Sequence, residues 1–451
     1  MNNIKIPDTL VELSSYFKKD LYAVGGFVRD SLLGVKNHDI DICGPATPEE
    51  VIKYLKNTDY SVTIESEKMF TLLISYKKET YEYTSFRVDS YIKGHRPTSV
   101  ISTDNIIVDA TRRDFTINAI YYDVKNNVIV DPLNGTFDLE QKLIRTTRDA
   151  DLVFSEDGLR LMRLARFASS LGFSIDPKTE ECAKNNCILI KDIANERIKD
   201  ELNLLLVSDL KYGIKDAVIN GFDILRNIGV LDIILPELTL GYGMKQRSDF
   251  HEYDVYYHIL HTVQEASPDI RLAALMHDIA KPYCKINYGV YKGHDYYGSI
   301  ISKNILSRLL YSNKIINTVS ILTLTHMFNI KNDATINEIK LFVVEYDNYL
   351  ESIYKLKYAD WKGSGKSSGN YLESAEILIE TRKKLKGNHV PFSISELLVN
   401  GNDFITTFVK IPQQERGNIL KSLLKECIID YNNYNTRKKQ LKYLENENNK
   451  Y

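Results

Sequence analysis

Two aspartates one residue apart follow a glycine-rich turn near the beginning of the chain. Asp39 and Asp41 alternate with Ile40 and Ile42 in residues 38–43, a pattern that predicts a strand with both carboxylates on one face. Carboxylates this close repel each other unless a cation lies between them. A pair of Mg²⁺ ions about 3.5–4 Å apart would neutralise them and would suit an in-line phosphoryl displacement.

A turn suited to phosphate binding precedes these aspartates. Residues 21–24 form an apolar run that predicts a strand, Gly25 and Gly26 follow at once, and a helical pattern begins at Phe27. Glycines at the start of a helix let backbone N–H groups approach a phosphate closely. Taken alone, a Gly-Gly pair is most often only a turn, and an Asp-x-Asp is most often a solvated strand end. Their order and spacing together favour a nucleotide site.

The order strand, Gly-Gly, Arg29-Asp30, helix and Asp-x-Asp strand resembles the nucleotidyltransferase core of the polymerase-β superfamily. The phrase GGFVRDSLLG…HDIDIC is similar to the signature of class II tRNA nucleotidyltransferases and bacterial poly(A) polymerases. This resemblance implies that Asp39 and Asp41 are catalytic and bind Mg²⁺. It also implies that Gly26 and Arg29 contact the triphosphate of an incoming nucleotide.

Residues 111–119, TRRDFTINA, resemble the second motif of the same family. Paired arginines suit a triphosphate because each guanidinium can bind it bidentately, and the resemblance gives Arg113 that part. Asp114 and Asn118 are candidates for orienting the arginines or for holding a ribose hydroxyl.

Two further features belong to the predicted N-terminal nucleotidyltransferase domain, which we call the head. Residues 70–76 and 80–86 predict a hairpin, and Glu82 on its second strand is a candidate third carboxylate. An exposed strand glutamate is an equally good interpretation of Glu82. The polar stretch 87–100 predicts a mobile loop, and it resembles the family's flexible loop, which is linked to the final A-addition step.

Residues 155–167, SEDGLRLMRLARF, predict one helix on which Asp157, Arg160, Arg163 and Arg166 recur every three residues. Cytosine and adenine share an amino donor beside a ring-nitrogen acceptor, whereas uracil and guanine present the opposite order. An Asp157–Arg160 pair would therefore select C and A without a nucleic-acid template. This is similar to the family's E-D-x-x-R motif, and Arg163 and Arg166 would bind phosphate or fix the pair.

The helical region that follows the head, which we call the neck, is expected to contain one more helix. Residues 194–206 predict an amphipathic helix that resembles the family's fifth motif. We assign it packing and salt bridges among Glu196, Lys199 and Asp200, but no chemistry.

Candidate metal ligands also occur in the second half of the chain. An apolar helix ends in His277-Asp278, with His258 upstream and Asp360 far downstream, an order that resembles the HD metal-phosphohydrolase fold. Imidazole and carboxylate ligands suit a divalent transition metal that activates water, which would be a second divalent metal beside Mg²⁺. A purely structural HD domain is left open. The histidines that also fit the order are His294 and His326.

Length and composition set the broad class. The 451 residues allow several domains, and a net charge of −2 neither supports nor excludes RNA as a partner. The five cysteines lack a Cys-x-x-Cys spacing and predict free thiols in a reducing compartment. We expect a cytoplasmic protein without a leader or membrane span.

We predict an α+β fold in four parts. These are a polymerase-β-type head with a mixed β-sheet over residues 1–145, an all-α neck with the base-recognition helix over 146–235, an HD-type helical domain over 236–370 and a helical, tRNA-binding tail over 371–451.

The predicted activity is template-independent addition of CCA to the 3′ end of tRNA with CTP, ATP and Mg²⁺, by a monomer or homodimer. Three alternatives stay open. The chain could add only CC or only A, it could be a poly(A) polymerase, or it could act chiefly as a phosphohydrolase at the HD site.

Overall fold

A computed structural model describes residues 4–91, 99–328, 334–366 and 371–451. The chain divides into two compact units, Met1–Thr239 with Arg308–Tyr311, and Leu240–Ser307 with Ser312–Tyr451. The finer division into four parts stays a prediction. Among the described residues, none of the helices is both long and apolar enough to cross a membrane.

A seven-stranded mixed sheet organises the first unit. Its strand order is 3-4-5-2-1-8-9 in chain numbering, and strands 2 and 5 are its parallel neighbours. This sheet, with helices around it and helical segments after it, confirms the predicted α+β fold. The strands of this unit are β1 (Tyr22–Val24), β2 (Asp41–Gly44), β3 (Ser61–Ser66), β4 (Thr71–Tyr76), β5 (Glu79–Ser85), β6 (Arg87–Ser90), β7 (Ser99–Ser102), β8 (Tyr121–Asp123), β9 (Val128–Val130), β10 (Leu143–Ile144) and β11 (Ser174–Ile175).

Twelve helices belong to the first unit as described. They are α1 (Asp8–Tyr16), α2 (Gly26–Leu32), α3 (Pro48–Leu55), α4 (Ile106–Thr111), α5 (Gly135–Glu140), α6 (Ala150–Glu156), α7 (Arg160–Leu171), α8 (Pro177–Asn185), α9 (Asn195–Leu206), α10 (Ala217–Asn227), α11 (Leu231–Ile234) and α12 (Pro236–Thr239). Short 3₁₀ turns lie at Thr116–Asn118 and Cys187–Asp192.

The predicted strand over residues 38–43 begins later than expected. The side chain of Asn37 accepts a hydrogen bond from the backbone N–H of Asp39 at 3.1 Å, so the chain turns there, and β2 begins only at Asp41. The predicted alternation nevertheless holds, because Ile40 and Ile42 are buried while both aspartates are exposed.

The prediction of a mobile loop over residues 87–100 is wrong at both ends. Strands β6 and β7 pair as an antiparallel hairpin, from Arg87 opposite Ser102 to Ser90 opposite Ser99. Residues 92–98, the middle of the predicted loop, lie outside the described residues.

The prediction of one helix over residues 155–167 is also wrong. Helix α6 ends at Glu156, Asp157 is extended with φ −148°, and α7 begins at Arg160. The break follows from close packing at Gly158, where a Cβ would lie 2.6 Å from the carbonyl oxygen of Leu189. Asp157 therefore lies in a turn before the helix that carries the arginines.

The second unit is helical as described. Its helices are α13 (Val255–Glu265), α14 (Arg271–Met276), α15 (Lys281–Tyr288), α16 (His294–Arg308), α17 (Asn313–Thr325), α18 (Ile336–Glu345), α19 (Leu350–Gly363), α20 (Tyr371–Gly387), α21 (Gly401–Thr406), α22 (Gln413–Ile429), α23 (Tyr431–Tyr434) and α24 (Arg437–Asn448). Further 3₁₀ turns lie at Pro268–Ile270, Asp347–Tyr349 and Ile394–Glu396. Near the C-terminus, a buried cluster that includes Phe404, Leu423 and Leu444 forms a core of its own.

Candidate active site and candidate metal centre

Parallel pairing of β2 with β5 places two acidic residues side by side. Asp41 is the register partner of Glu82, and both line a cavity of about 570 Å³ together with Glu65. Asp39 lies just before β2, is exposed, and is close enough that its charge acts on both Asp41 and Glu82. The structure thus brings the Asp-x-Asp pair and the candidate third carboxylate to one surface of the sheet.

The acidic residues of this cavity perturb one another. Desolvation raises the pKa of Asp41, and the charge of Asp39 raises it further, against an opposing effect from Arg113. The pKa of Glu82 is raised by desolvation first and then by Asp41. Such mutual repulsion favours a bound cation, and carboxylate oxygens are the ligands that Mg²⁺ prefers.

Arginines also line the same cavity. Arg87, Arg112 and Arg113 all contribute to its wall. Arg113 donates from Nε to Asp109 at 3.3 Å and to the hydroxyl of Tyr121 at 3.2 Å. These contacts fix the guanidinium at the cavity wall, where it can face an anionic ligand.

The glycine turn has a backbone conformation that residues other than glycine rarely adopt. Gly25 has φ +71° and precedes the first residue of α2, Gly26. A Cβ on Gly25 would lie 3.8 Å from Nη1 of Arg113, and one on Gly26 would lie 3.7 Å from Nη2 of Arg29. The turn therefore passes close to both of these arginines.

Arg29 is held by three neighbouring side chains. Its buried guanidinium donates to Asp30, to the side-chain oxygen of Asn118 at 2.6 Å and to the hydroxyl of Tyr212 at 2.9 Å. The predicted contact with a triphosphate stays a prediction, and it would require an exchange of some of these bonds.

Asn118 and Asp114 continue this network toward α7. The side-chain amide of Asn118 donates to Asp114 at 3.1 Å, and Nε of Arg163 donates to the other oxygen of Asp114 at 2.8 Å. Burial acts to raise the pKa of Asp114, but Arg163 and Asn118 outweigh it and lower the pKa to about 2. Asp114 thus orients Arg163 of α7 and also accepts a hydrogen bond from Asn118 of its own motif.

Helix α9 completes the network with a residue that the sequence prediction missed. Glu201 is buried and accepts from Nε of Arg166 at 2.6 Å and from Nη1 of Arg163 at 3.5 Å. The guanidinium groups of Arg29, Arg163 and Arg166 lie 5.1, 5.1 and 4.2 Å from the ring centre of Phe167. Helix α9 therefore contributes packing and salt bridges, as predicted, but its salt bridges to α7 come from Glu201 rather than from the residues that the sequence analysis named.

Asp157 and Arg160, the predicted base-reading pair, are held by separate partners. Arg197 of α9 donates to both carboxylate oxygens of Asp157, at 3.2 and 2.7 Å. Arg160 donates to Glu156 at 3.1 Å and to the hydroxyl of Tyr91 at 3.2 Å. Arg197 and Glu201 carry opposite charges four residues apart on an amphipathic helix. This spacing was a signal of an ion-pair role, but it could not identify their partners on other elements.

Six predicted residues of the second unit converge in a buried cluster. Helix α13 supplies His258, α19 supplies Asp360, and the residues just after α14 supply His277 and Asp278. His294 begins α16, and His326 follows α17. The structure therefore brings together the predicted metal set, His258, His277, Asp278 and Asp360, with both additional histidines.

A backbone carbonyl near Nδ1 orients the imidazole ring of each histidine in the cluster. Nδ1 of His277, His294 and His326 lies 2.7, 2.8 and 2.6 Å from a carbonyl oxygen three residues earlier. Nδ1 of His258 lies 3.3 Å from the carbonyl of Gly363. A neutral imidazole that donates through Nδ1 presents Nε2 as an acceptor, which is the orientation of a metal-bound histidine.

The Nε2 atoms meet one another and the carboxylates. Nε2 of His258 and Nε2 of His277 are 3.2 Å apart, and each lies within 3.2 Å of Oδ2 of Asp278. Oδ1 of Asp360 lies 3.1 Å from Nε2 of His258. Acceptors this close in a buried site require a shared cation or an added proton. Burial acts to lower the pKa of His277, but Asp278 raises it to about 10.

The cluster opens to a cavity of about 270 Å³. Arg247 and Lys281 supply positive charge to its wall, and Trp361 supplies an aromatic surface. Lys281 is itself paired, with Nζ 2.5 Å from Oδ2 of Asp278. A small anion could approach the cluster by this route.

Comparison with known proteins finds two matching families within the first 240 residues. Residues 21–145 match the family described as Poly A polymerase head domain, and residues 172–240 match the family described as Probable RNA and SrmB-binding site of polymerase A. The CCA-adding enzyme of Lactobacillus johnsonii is 40% identical over 213 residues, 47% of this chain and 50% of the relative. That of Geobacillus stearothermophilus is 40% identical over 188 residues, 42% and 45% of the two chains. The chain spans about half the length of these curated relatives.

Solved structures resemble the whole chain. The Bacillus stearothermophilus CCA-adding enzyme in complex with CTP has a TM-score of 0.69 at 22% identity and covers 98% of both chains. The Thermotoga maritima CCA-adding enzyme complexed with tRNA has a TM-score of 0.54 at 17% identity, and covers 98% and 97%. At these identities the similarity establishes the fold.

Proposed function

We propose that this chain, which has the head domain and the fold of class II tRNA nucleotidyltransferases, adds CCA to the 3′ end of tRNA from CTP and ATP. The observation that supports this most directly is the register of Asp41 with Glu82, in a cavity that Arg87, Arg112 and Arg113 also line. Carboxylates that can hold a metal and arginines that can bind phosphate thus share one cavity, the combination that nucleotidyl transfer requires.

Asp39, Asp41 and Glu82 are the residues that would hold divalent ions, which we propose are Mg²⁺. When bound, these ions supply activation of the tRNA 3′-hydroxyl and neutralise the leaving pyrophosphate. Arg113 binds the triphosphate through its remaining donors, and Gly25 and Gly26 leave room for the phosphates to approach. Arg29 bonds to Asn118, which in turn donates to Asp114 beside Arg113 in the chain.

Asp157 and Arg160 select the base. Asp157 accepts three hydrogen bonds, from the N–H of Leu159 and from both Nη atoms of Arg197. A carboxylate has about four acceptor positions, so one remains for the amino group of cytosine or adenine. Arg160 donates to the ring nitrogen after exchanging one of its present acceptors.

Transfer assays test this function. Transcripts of tRNA that end at the discriminator base, at −C or at −CC are incubated with CTP, ATP and Mg²⁺, and Asp41→Asn is the inactive control. Growth of all three transcripts to CCA, followed by a stop, is the expected result. A halt at CC indicates a CC-adding enzyme, growth from −CC alone indicates an A-adding enzyme, and a long A tract indicates a poly(A) polymerase.

A second candidate function is supported by the inward-turned histidines of the second unit. We infer that His258, His277, Asp278 and Asp360 hold a divalent transition metal, which supplies an activated water for hydrolysis of a phosphoester. Lys281 and Arg247 attract the anionic substrate to the cavity. Hydrolysis of p-nitrophenyl phosphate and of its bis ester with added Mn²⁺, Co²⁺ or Ni²⁺ tests this function. Asp278→Asn should abolish it, and Asp41→Asn should leave it intact.

A further inference from the structure

The buried carboxylate of Asp30 in α2 has two partners from a distant part of the chain. The hydroxyl of Tyr212 donates to Oδ1 at 2.7 Å, and Nζ of Lys211 lies 2.7 Å from Oδ2. Each oxygen also has a partner from its own segment: Nη2 of Arg29 donates to Oδ1 at 2.8 Å, and the side-chain amide of Asn37 donates to Oδ2 at 2.9 Å. One carboxylate thus connects the segment between α9 and α10 to two side chains near the glycine turn.

Both of the nearby side chains that Asp30 holds border the proposed nucleotide site. A Cβ on Gly26 would lie 3.7 Å from Nη2 of Arg29 and 3.7 Å from Nδ2 of Asn37. The side-chain oxygen of Asn37 accepts a hydrogen bond from the backbone N–H of Asp39 at 3.1 Å. The same carboxylate therefore acts on the glycine turn and, through Asn37, on the first of the two predicted metal-binding aspartates.

The charge of Asp30 strengthens these contacts. Burial acts to raise the pKa of Asp30, but Arg29, Lys211 and Tyr212 outweigh it and lower the pKa. Hydrogen bonds to a carboxylate are shorter and stronger than those between neutral groups. Because a buried carboxylate that loses a donor is costly, loss of either partner beyond α9 should shift Asp30 and the side chains that it holds.

We propose that Lys211 and Tyr212 are positioning residues for nucleotidyl transfer, which act through Asp30 on the glycine turn and on the start of the Asp-x-Asp segment. This inference rests on the proposed function of the head and extends its site to a segment in which the sequence showed no motif. The turn and the metal-binding aspartates both serve the triphosphate in that function. Substitution of either positioning residue should therefore weaken the binding of CTP and ATP alike, without changing base selection by Asp157 and Arg160.

Nucleotide binding tests the inference without relying on transfer. The Kd values of CTP and ATP are measured by equilibrium dialysis of the full chain with Mg²⁺ and without tRNA, so that no transfer occurs. Tyr212→Phe keeps the ring and removes only the hydroxyl, and Lys211→Gln removes the cation. We expect each variant to raise both Kd values about five- to tenfold, and Lys211→Arg to retain most of the affinity. Lys215→Gln changes an exposed lysine of the same segment and should leave both Kd values unchanged.

The outcomes separate this inference from the proposed function. A lower Tm with unchanged Kd values in Tyr212→Phe would mean that the contacts serve stability alone and would overturn the inference. Tighter binding of CTP in Tyr212→Phe would also overturn it, because the hydroxyl would then be holding Arg29 away from the phosphates. If Tyr212→Phe does not fold, as judged by circular dichroism, Lys211→Gln decides the question, since the side chain of Lys211 is 46% exposed.

The unaltered protein provides the remaining comparison. If it binds CTP but extends none of the tRNA transcripts, the proposed function is overturned, and the Kd values of the variants still decide whether Lys211 and Tyr212 position the nucleotide site. If it binds neither nucleotide, both proposals are overturned.

Discussion

Arg197 donates a hydrogen bond to each carboxylate oxygen of Asp157, with Nη1 3.2 Å from Oδ1 and Nη2 2.7 Å from Oδ2. A bidentate pair of this kind fixes the plane of a carboxylate as well as its position. Helix α9, forty residues further along the chain, therefore sets the direction in which Asp157 can accept a hydrogen bond. Because our proposal uses that direction to distinguish cytosine from uracil, Arg197 is a positioning residue for base selection.

The Arg197→Gln substitution should lower the selectivity for CTP over UTP more than it lowers the rate of transfer with CTP. Loss of a bidentate, charge-assisted contact costs about 1.5 kcal/mol, which corresponds to a fall of about tenfold in the ratio of kcat/KM for CTP to that for UTP. Arg197→Lys should recover part of the ratio. Lys199→Gln on the same helix is the matched control and should leave the ratio unchanged. An equal fall in kcat/KM for both nucleotides would show that Arg197 serves stability alone.

Substitution of Asp41 should stabilise the metal-free protein while it abolishes transfer. The raised pKa values of Asp41 and Glu82 report desolvation and mutual repulsion. Removal of one charge, an effect that solvent screening at an exposed side chain limits, should raise the Tm of Asp41→Asn in EDTA. Pyrophosphate release should fall by about 10³-fold or more, since the ion loses a ligand.

The Glu82→Gln variant tests the contribution of the candidate third carboxylate on its own. We expect the same stabilisation in EDTA and a smaller fall in pyrophosphate release, because Asp39 and Asp41 remain. Glu79→Gln changes an exposed glutamate on the same strand and should alter neither quantity. A metal-free Asp41→Asn or Glu82→Gln that melts below the unaltered protein would contradict the electrostatic interpretation of this site.

The sequence predicted the features that are local in the chain. Asp39 and Asp41 are two residues apart, and their shared side of the sheet follows from strand geometry even though β2 begins only at Asp41. The cluster of His258, His277, Asp278 and Asp360 is not local, since Asp360 lies far from His258 in the chain, and it was anticipated because the order of these residues resembles the HD fold. Only for the two aspartates do residue type and spacing determine the geometry directly.

Features set by distant packing could not be read in this way. The break before α7 depends on the approach of Leu189 to Gly158, which no periodicity reports. The partner of Asp157 lies forty residues away on a helix whose pattern indicated packing alone. Arg29 matched a phosphate-binding motif, but a buried carboxylate and amide hold its guanidinium.

The charge of Asp114 should make the first unit lose stability in acid. A carboxyl whose pKa falls to about 2 on folding binds fewer protons in the folded state than in the unfolded state. Its contribution is therefore complete above the ordinary aspartate pKa and is lost as the pH falls toward 2. A shift of this size corresponds to about 2 kcal/mol.

The Asp114→Asn variant isolates this contribution. Urea unfolding followed by circular dichroism should show a difference in free energy of unfolding between unaltered protein and variant that is largest at pH 7 and shrinks between pH 5 and pH 2. Asp104, whose side chain is 80% exposed, provides the control, since Asp104→Asn should produce little pH-dependent difference. A difference for Asp114→Asn that stays constant across this range would mean that its charge is unimportant.

The ring of Phe167 should hold the arginines of the neck in place. Three guanidinium groups lie within 5.1 Å of its centre, and each such contact stabilises by about 0.5–2 kcal/mol. Phe167→Leu keeps an apolar side chain but removes the π face. Arg163 and Arg166 would then be less well fixed. If they bind the phosphates of the nucleotide, as the sequence motif predicts, we expect KM to rise several-fold for CTP and ATP alike, with the ratio between them nearly constant. Phe167→Tyr should restore KM.

Phe173→Leu is the matched control for this prediction. Phe173 lies just beyond α7 and has the same 8% exposure as Phe167, so its replacement removes a similar apolar area. Both leucine variants should lower the free energy of unfolding, but only Phe167→Leu should raise KM. Equal KM values in the two variants would mean that the ring acts as ordinary core, and that Asp114 and Glu201 alone position the arginines.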